Sequence, residues 1–417
     1  MRSEPSAVAT APVADATAGT GAPDFEAATA QALPAARRRI VHVLTRLSRG
    51  GTEENTIATC AGQAERGHEV FLVHGAECQS AIRATVPPNV EVIRVESLVH
   101  PIDPVADIKA VLALRRLLRR IDPHILHTHQ SKGGIVGRLA APGLANTRVV
   151  HTVHIAPFLN VGAVQRTIYL VLEHVAARFT DRFISVSAGM RDAYLRHRIG
   201  RPETHHVVHS GMELGKYVRA EAPRAWRERL HWSEPDRPFV VLMLAAFDRR
   251  KRHLELVEAA GDLLGPVPEA LVCFAGEGHC EAEVRAAADR GGFASRFRFL
   301  GHDSRPEELI ALADVCVLCS EREGLPRVLV QYVAARKRVV LMRLPGIDEL
   351  LRDYAGATVV EDGDFGALMA ELVRVHDREY LPERRAPSFP PVDLARWEND
   401  AMVAGIERVY GAARPTS

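Results

Sequence analysis

The chain has 417 residues, of which 47% are hydrophobic and 25% are charged, and its formal net charge is +1 at pH 7. This composition is ordinary for a globular protein, and the near-zero net charge gives no electrostatic support for a nucleic-acid partner. The six cysteines are scattered, no apolar run approaches the roughly 18 residues of a membrane span, and we therefore expect a cytoplasmic protein.

The first residues predict a tail followed by a strand, a loop and a helix. Residues 1–37 are rich in Ala, Thr, Pro and Gly, which is typical of a disordered tail and lacks the pattern of a signal peptide. A strand from Arg38 to Leu44 precedes a loop that contains Gly50 and Gly51, and a helix begins at about Glu53. The two glycines form either a tight turn or a place where the backbone approaches a phosphate or a sugar.

A basic helix is predicted from Ile108 to Ile121, with Arg115, Arg116, Arg119 and Arg120 near its end. Cations suit the negative end of a helix dipole, so this helix can be a solvated surface element. A basic amphipathic helix can also contact anionic membrane lipid, and the sequence leaves both interpretations open.

Histidines follow two neighbouring predicted strands. His127 and His129 end one strand, and His151 and His154 end the next. No carboxylate or cysteine accompanies them at ligand spacing, so we predict no metal site. We interpret them instead as one wall of a cleft.

Residues 214–237 lose periodicity and predict a linker to a second domain. This domain opens on a buried strand, Phe239 to Ala246, and a loop rich in Arg and Lys follows, with the next helix beginning near Leu254. Cations between a strand end and a helix would bind a diphosphate, although an exposed basic turn would have the same composition.

The most informative stretch is the turn after the apolar strand of residues 313–319. Glu323 stands on this turn, and Gly324 and Pro326 suit the entry to a helix that begins near Val328. The free N–H groups at such a helix end favour phosphate, whereas an acid beside them suits sugar hydroxyls or a developing positive charge.

These motifs resemble those of the retaining family 4 glycosyltransferases, which have the GT-B fold. The family segment Ser-x-x-Glu-Gly-x-Pro is matched by residues 320–326, and its Gly-Gly-x-x-Glu by residues 345–349, where Pro345 replaces the first glycine. The family's second acid, eight residues after the first Glu, is replaced by Gln331.

The resemblance implies roles for individual residues. Glu323 and His154 would be the catalytic pair that contacts the donor sugar, and Lys251 would hold the diphosphate. Ala246 stands where the family has an arginine, so Arg249 or Arg250 would take that role. The full set of implied donor-binding residues is Gly50, Gly51, Arg249, Arg250, Lys251, Leu325, Gln331, Gly346 and Glu349.

The alternation of strands and helices predicts an α/β protein with two doubly wound Rossmann-like domains that face each other across a cleft, and the resemblance implies that they form a GT-B fold. The expected ranges are a tail at 1–37, an acceptor-side domain at 38–212, a donor-binding domain at 213–385, and a final segment at 386–417. The resemblance implies that the helix of this last segment crosses back to the first domain.

The resemblance implies a retaining, metal-independent glycosyltransferase that needs no cofactor. It would move a sugar from a nucleotide-diphosphate sugar to a glycan, lipid-linked or small-molecule acceptor, with peripheral contact to the inner face of the membrane through the helix that carries Arg115–Arg120. Two alternatives remain open: a non-catalytic GT-B protein that binds a nucleotide or a glycan, and a sugar-nucleotide epimerase.

Overall fold

A computed structural model describes residues 37–159, 161–324, 326–380 and 388–411. The predicted tail lies outside these ranges except for residue 37, and so does Leu325, the residue expected at the start of the donor-binding helix.

The first sheet has seven parallel strands in the order β3-β2-β1-β4-β5-β6-β7. Its strands are β1 (Arg39–Val43), β2 (Glu69–His74), β3 (Val90–Arg94), β4 (Ile125–His129), β5 (Arg148–Val153), β6 (Arg182–Ser185) and β7 (His205–Val207). Strands β2 and β3 are added on one side of β1, and β4 to β7 are added on its other side, so the strand order reverses between β1 and β4. These two parallel strands pair from Ile40 against Ile125. Ligands of doubly wound sheets bind at such a switch point, beyond the carboxyl ends of the strands.

The second sheet has six parallel strands in the order β10-β9-β8-β11-β12-β13. Its strands are β8 (Phe239–Leu244), β9 (Ala270–Ala275), β10 (Phe297–Phe299), β11 (Val315–Leu318), β12 (Arg338–Met342) and β13 (Ala357–Val360). Here the switch point lies between β8 and β11, which pair from Val315 against Val241. The central strands are continuous runs of buried Val, Leu, Phe and Met, as parallel strands covered on both faces require.

Helices cover both sheets and connect the strands. In the first half they are α1 (Gly51–Glu65), α2 (Ser80–Arg83), α3 (Pro104–Ile121), α4 (Ser131–Ala140), α5 (Ala163–Ala177) and α6 (Ala188–Arg196). The later helices are α7 (Gly215–Val218), α8 (Trp226–Arg229), α9 (His253–Ala259), α10 (Gly261–Leu264), α11 (Glu281–Arg290), α12 (Pro306–Leu312), α13 (Arg327–Ala334), α14 (Asp348–Leu351), α15 (Phe365–Glu379) and α16 (Asn399–Gly411). Short 3-10 turns occur at Pro202–Thr204, Arg249–Lys251, Ala294–Arg296 and Ala395–Trp397.

The last helix, α16, packs against the first sheet although it follows the second sheet in the chain. Its buried Met402, Ile406 and Tyr410 belong to the same apolar cluster as Ile40 of β1 and Val150 of β5. The backbone N–H of Met212 donates to the carbonyl of Trp397 at 2.8 Å, which fixes the start of this return. The domain boundaries predicted from the sequence stay predictions.

The basic helix begins earlier than its sequence pattern indicates. Helix α3 starts at Pro104 because the Asp103 carboxylate caps it, accepting from the N–H groups of Val105 and Ala106, and because Pro suits the first helical position. None of the helices in the described ranges combines the length and the apolar composition of a membrane-spanning segment.

Candidate functional site

A cleft of about 1590 Å³ runs between the carboxyl edges of the two sheets. Most of the predicted site residues line this cleft. Those that do are Gly50, Gly51, His154, Arg250, Lys251, Glu323 and Gln331. Polar side chains thus reach one space from loops that are far apart in the sequence but share the two sheet edges.

An acid and two cations form the second-domain side of the cleft. Lys251 Nζ forms an ion pair with Glu323 Oε1, and Arg250 Nη1 lies 4.0 Å from Glu323 Oε2. The side chains of Lys251 and Glu323 are only 13% and 10% exposed, so their charges interact with little screening. Asp248 orients the loop, because its carboxylate accepts from the backbone N–H of Arg250 and pairs with the guanidinium at 3.3 Å.

Arg249 lies outside the cleft, so the structure does not bring it together with the other predicted donor-binding residues. Its side chain is 81% exposed and pairs with Glu283 at 3.5 Å. The 3-10 turn Arg249–Lys251 explains the difference, because successive side chains of a tight turn point in different directions. Of the two arginines expected to replace the one missing at position 246, Arg250 is the one that lines the cleft.

The turn at Gly324 forms a close contact between the two halves of the cleft. A Cβ atom on Gly324 would lie 1.7 Å from the carbonyl oxygen of His154, a distance that no side chain allows. The Ser187 hydroxyl donates to the carbonyl of Gly324 at 2.8 Å. Glycine is therefore required here by a neighbouring backbone, and the contact holds the Glu323 turn against the strand end that carries His154.

Arg327, at the start of α13, ties the same turn to the glycine loop of the first domain. Its guanidinium donates to the carbonyl of Gly211 at 2.9 Å and pairs with Glu54 at 3.3 Å. A Cβ atom on Gly51 would lie 2.9 Å from Arg327 Cδ, so a larger residue at position 51 would displace this arginine. Sequence reasoning did not select Arg327, since an arginine at a helix start carries no distinctive signal.

Glu53 is a second residue that sequence reasoning did not select as functional. It is 4% exposed and lines the cleft, and its carboxylate accepts from the Gln130 amide at 2.9 Å. Burial raises the pKa of Glu53, and the backbone N–H and the Arg46 charge oppose that rise. Its position three residues after Gly50 was visible in the sequence, but its burial was not.

His154 lies at the carboxyl end of β5 and is 9% exposed. Its Nε2 atom lies 3.1 Å from Nδ1 of the fully buried His129. Burial, together with the charge of Arg327, lowers the pKa of His154 to about 3. The imidazole is therefore neutral near pH 7, and it offers one N–H and one lone pair rather than a positive charge.

Three buried histidines, His42, His127 and His129, have ring nitrogens within 4.8 Å of one another, which is close enough to hold a metal ion. Both nitrogens of each ring already have hydrogen-bond partners. These partners are Gln63 and His129 for His42, Tyr410 and Thr152 for His127, and His42 and His154 for His129. A metal would have to replace these bonds, so hydrogen bonding accounts for the cluster.

Gly346 and Glu349 do not line the cleft, and their donor-binding role stays a prediction. The Glu349 carboxylate lies at the seam between the two halves, where it is bonded to His209 at 2.9 Å and to Arg396 at 3.1 Å. The hydrogen bond from His209 lowers the pKa of Glu349, with further support from Arg396. Gly346 faces Ser187 and Gly189 at the same seam, so both residues connect the domains in this structure.

The buried histidines predict how stability depends on pH. Burial lowers the pKa of His42 to about 4 and lowers those of His127 and His129 well below 6.5. The unfolded chain therefore binds protons between pH 6.5 and about 4 that the folded chain does not, and stability falls as the pH falls through this window. Each such histidine contributes up to about 1.4 kcal/mol per pH unit to the slope of the unfolding free energy against pH. Glu53 acts in the opposite direction, since its pKa is raised.

We expect His42→Gln to reduce this slope by up to about 1.4 kcal/mol per pH unit, with the largest effect below pH 6.5, because one buried titrating group is removed. Urea unfolding at pH 7.5, 6.5 and 5.5 would measure the slope. The exposed His174 offers a matched control, and His174→Gln should leave the slope unchanged. Equal slopes for wild type and His42→Gln would contradict this account.

Two family models match the chain. Residues 50–211 match the glycosyl transferase 4-like domain, and residues 225–387 match the glycosyl transferases group 1. Together they span most of the described chain and meet close to the linker between the sheets.

Two relatives that align with about two thirds of this chain are both named as glycosyltransferases. "Putative glycosyltransferase EpsD" of Bacillus subtilis (strain 168) is 28% identical over 287 residues, which are 67% of this chain and 74% of that protein. The UDP-Gal:alpha-D-GlcNAc-diphosphoundecaprenol alpha-1,3-galactosyltransferase of Escherichia coli is 25% identical over 297 residues, 70% of this chain and 76% of that protein.

Solved structures share the fold. The Anabaena protein Alr3699/HepE, in complex with UDP and glucose, superposes with a TM-score of 0.73 at 18% identity over 90% of this chain and 100% of that one. The glycosyltransferase WaaG, involved in lipopolysaccharide biosynthesis, gives a TM-score of 0.65 at 15% identity over 91% and 96%. At these identities the superpositions support the two-sheet architecture alone.

Proposed function

Because this chain belongs to the group 1 glycosyltransferases of the GT-B fold, we propose that it transfers a sugar, with retention and without a metal ion, from a nucleoside-diphosphate sugar to a lipid-linked glycan. One observation carries the proposal: Lys251, Arg250 and Glu323 form a charged cluster in the cleft, and the Glu323 turn packs directly against His154.

The cations suit the leaving diphosphate. Lys251 and Arg250 would bind its oxygens, and their charge would stabilise the negative charge that develops as the bond to the sugar breaks. In this role they supply what a divalent metal supplies in other enzymes, which supports a metal-independent reaction. We accordingly propose no cofactor besides the donor itself.

The acid suits the sugar. Glu323 would accept hydrogen bonds from the sugar hydroxyls and stabilise the positive charge that develops on the ring. His154 would bond to the sugar from the first domain, and Gly50 and Gly51 would let the backbone approach it. The departing diphosphate would take the proton of the acceptor hydroxyl on the same face of the sugar, which yields retention.

Two helices near the mouth of the cleft support a lipid-linked acceptor. Helix α3 and the segment before it expose Ile102, Val105, Ile108 and Leu112, which are 45 to 65% exposed. On α5, Val164, Ile168 and Val171 are 45 to 76% exposed at helical spacing, so they form one apolar stripe. Exposed apolar side chains of this kind suit a membrane or a lipid chain.

The basic end of α3 extends this surface. Arg116, Arg119 and Arg120 are exposed, whereas the Arg115 guanidinium donates to the carbonyl of Pro142 at 2.7 Å. We propose that the three exposed arginines contact anionic lipid at the inner face of the membrane while the apolar stripes enter the interface. The Escherichia coli relative, whose named acceptor is a diphosphoundecaprenol, supports this choice of acceptor.

The first test is a panel of nucleoside-diphosphate sugars without acceptor, beginning with UDP-sugars, in the presence of EDTA. We expect one donor to raise the Tm and to release its diphosphate slowly, since water replaces the acceptor poorly. Glu323→Gln should lower this release at least about 100-fold, in the range seen when one transition-state partner is lost.

Other outcomes of the panel would contradict the proposal. Conversion of the donor into another nucleotide sugar would indicate an epimerase. A raised Tm with an intact donor, even with lipid-linked acceptors added, would indicate a binding protein. Loss of release in EDTA would contradict metal independence, and an inverted anomer in the NMR spectrum of the product would contradict retention.

Gln331 lines the cleft at the position of the family's second acid. A neutral amide oxygen accepts weaker hydrogen bonds from donor hydroxyls than a carboxylate does. We expect Gln331→Glu to tighten donor binding about fivefold, which corresponds to roughly 1 kcal/mol. Calorimetric titration with the selected donor would measure this, and unchanged or weaker binding would contradict the role given to Gln331.

Liposome sedimentation tests the membrane contact. We expect binding to vesicles that contain anionic lipid and weaker binding at high salt, because each lysine or arginine near the surface contributes about 1 kcal/mol. Replacing Arg116, Arg119 and Arg120 with Gln should abolish binding. The exposed Arg290 on α11 provides a matched control, and Arg290→Gln should bind as the wild type does.

A further inference from the structure

A line of hydrogen bonds connects the cleft to the last helix. His154 Nε2 lies 3.1 Å from His129 Nδ1, and His129 Nε2 lies 3.0 Å from His42 Nδ1. His42 Nε2 lies 2.8 Å from Gln63 Oε1, and the Gln63 amide nitrogen donates to the Tyr410 hydroxyl at 3.2 Å. Strand ends, α1 and α16 thus contribute to one continuous path.

Every imidazole in this path is neutral. His42 and His129 are 0% and 1% exposed, and burial is the largest cause that lowers the pKa of each. A neutral imidazole has one N–H and one lone pair, on different nitrogens. Each ring that donates on one side therefore accepts on the other, and the whole line has a single direction.

The Gln63 amide fixes that direction. Its Oε1 atom can only accept, so His42 must carry its proton on Nε2 and accept on Nδ1. His129 must then donate from Nε2 and accept on Nδ1, and His154 must donate from Nε2. The remaining nitrogen of His154, Nδ1, is left with a lone pair.

We propose that Gln63, held by Tyr410 of the returning helix, sets the tautomer of His154, so that Nδ1 presents a lone pair to the cleft and accepts a hydrogen bond from a hydroxyl of the transferred sugar. The contact with the sugar rests on the function proposed above. Gln63 and Tyr410 touch neither donor nor acceptor in this scheme, and they act as positioning residues.

The hydrogen bonds beyond Gln63 are compatible with this direction, and the charge of Arg327 favours it over the reverse. Tyr410 accepts from Gln63 and can therefore donate to His127 Nδ1 at 2.7 Å, and His127 Nε2 then donates to the Thr152 hydroxyl at 2.6 Å. Arg327 lines the cleft and its charge acts on His154. A positive charge on the cleft side favours a lone pair there over an N–H group.

A rotated Gln63 amide would reverse every bond in the line. Its nitrogen would donate to His42, each histidine would donate from Nδ1, and His154 would present an N–H to the cleft. The same sugar hydroxyl would then have to accept rather than donate. The amide orientation therefore controls whether His154 accepts or donates a hydrogen bond in the cleft, although Gln63 itself is 0% exposed.

Nitrogen-15 NMR of the donor-free, full-length protein tests the tautomer directly. Long-range proton–nitrogen spectra of histidine-labelled protein distinguish Nε2–H from Nδ1–H rings, and the loss of one signal set in His154→Gln identifies His154. We expect a pure Nε2–H ring for His154 at pH 7.5. An Nδ1–H ring would overturn the proposal.

Variants test the control by Gln63. We expect Gln63→Leu to give a mixture of His154 tautomers and to lower kcat/KM for the donor about three- to tenfold, the range of one hydrogen bond. Tyr410→Phe, which frees the amide to rotate, should do the same. With its carboxylate ionised, the Gln63→Glu variant can only accept from His42, so it should keep the Nε2–H ring and most of the activity.

Asn55→Leu is the matched control. Asn55 is a buried amide on α1 that contacts Met402 of α16 at 3.1 Å but lies outside the line, so its loss should leave the His154 tautomer unchanged. An unchanged tautomer in both Gln63→Leu and Tyr410→Phe would overturn the proposal. Because the spectra need no donor, a correct tautomer in a protein without transferase activity would contradict the proposed function alone.

Discussion

The approach of Gly324 to the carbonyl of His154 is the constraint on which the cleft depends. A turn of the second domain can rest on a strand end of the first only where one partner lacks a side chain. That contact sets how far Glu323 and Lys251 stand from the wall formed by His154, and Arg327 and Ser187 add hydrogen bonds across the same seam. The geometry of the site therefore follows from the interface between the domains as much as from either sheet.

The return of α16 has a comparable effect at the other side of the first sheet. Its apolar side chains cover β1, β4 and β5, and its Tyr410 hydroxyl supplies the polar partner that buried Gln63 and His127 require. A buried polar group without a partner is costly, so a core that contains this many histidines depends on complete pairing. The end of the chain thus satisfies groups whose line of bonds ends in the cleft.

Much of this architecture could be predicted from the sequence, because buried parallel strands and helix ends leave strong local signals. The strand before Glu323 and the glycine loop after β1 are examples, and both strand ends contribute to the cleft. The side-chain placements that could not be predicted from the sequence have a common cause. Arg249 and Arg250 are equivalent in sequence, but only a turn geometry decides which one faces the cleft. Glu349 fits its motif, yet His209 and Arg396 draw its carboxylate into the seam, and neither partner is near it in sequence.

The ion pair between Lys251 and Glu323 has a consequence for a donor-binding cleft. Without an anion, the acid is the partner that keeps a largely buried ammonium group satisfied. A diphosphate that reaches Lys251 would take over this role and leave the Glu323 oxygens free to accept from hydroxyls. Removal of Glu323 would then affect the empty site as well, because Lys251 would lose its closest opposite charge. A substitution such as Glu323→Gln, which keeps the shape and one acceptor oxygen, therefore separates the chemistry from the packing better than truncation to Ala.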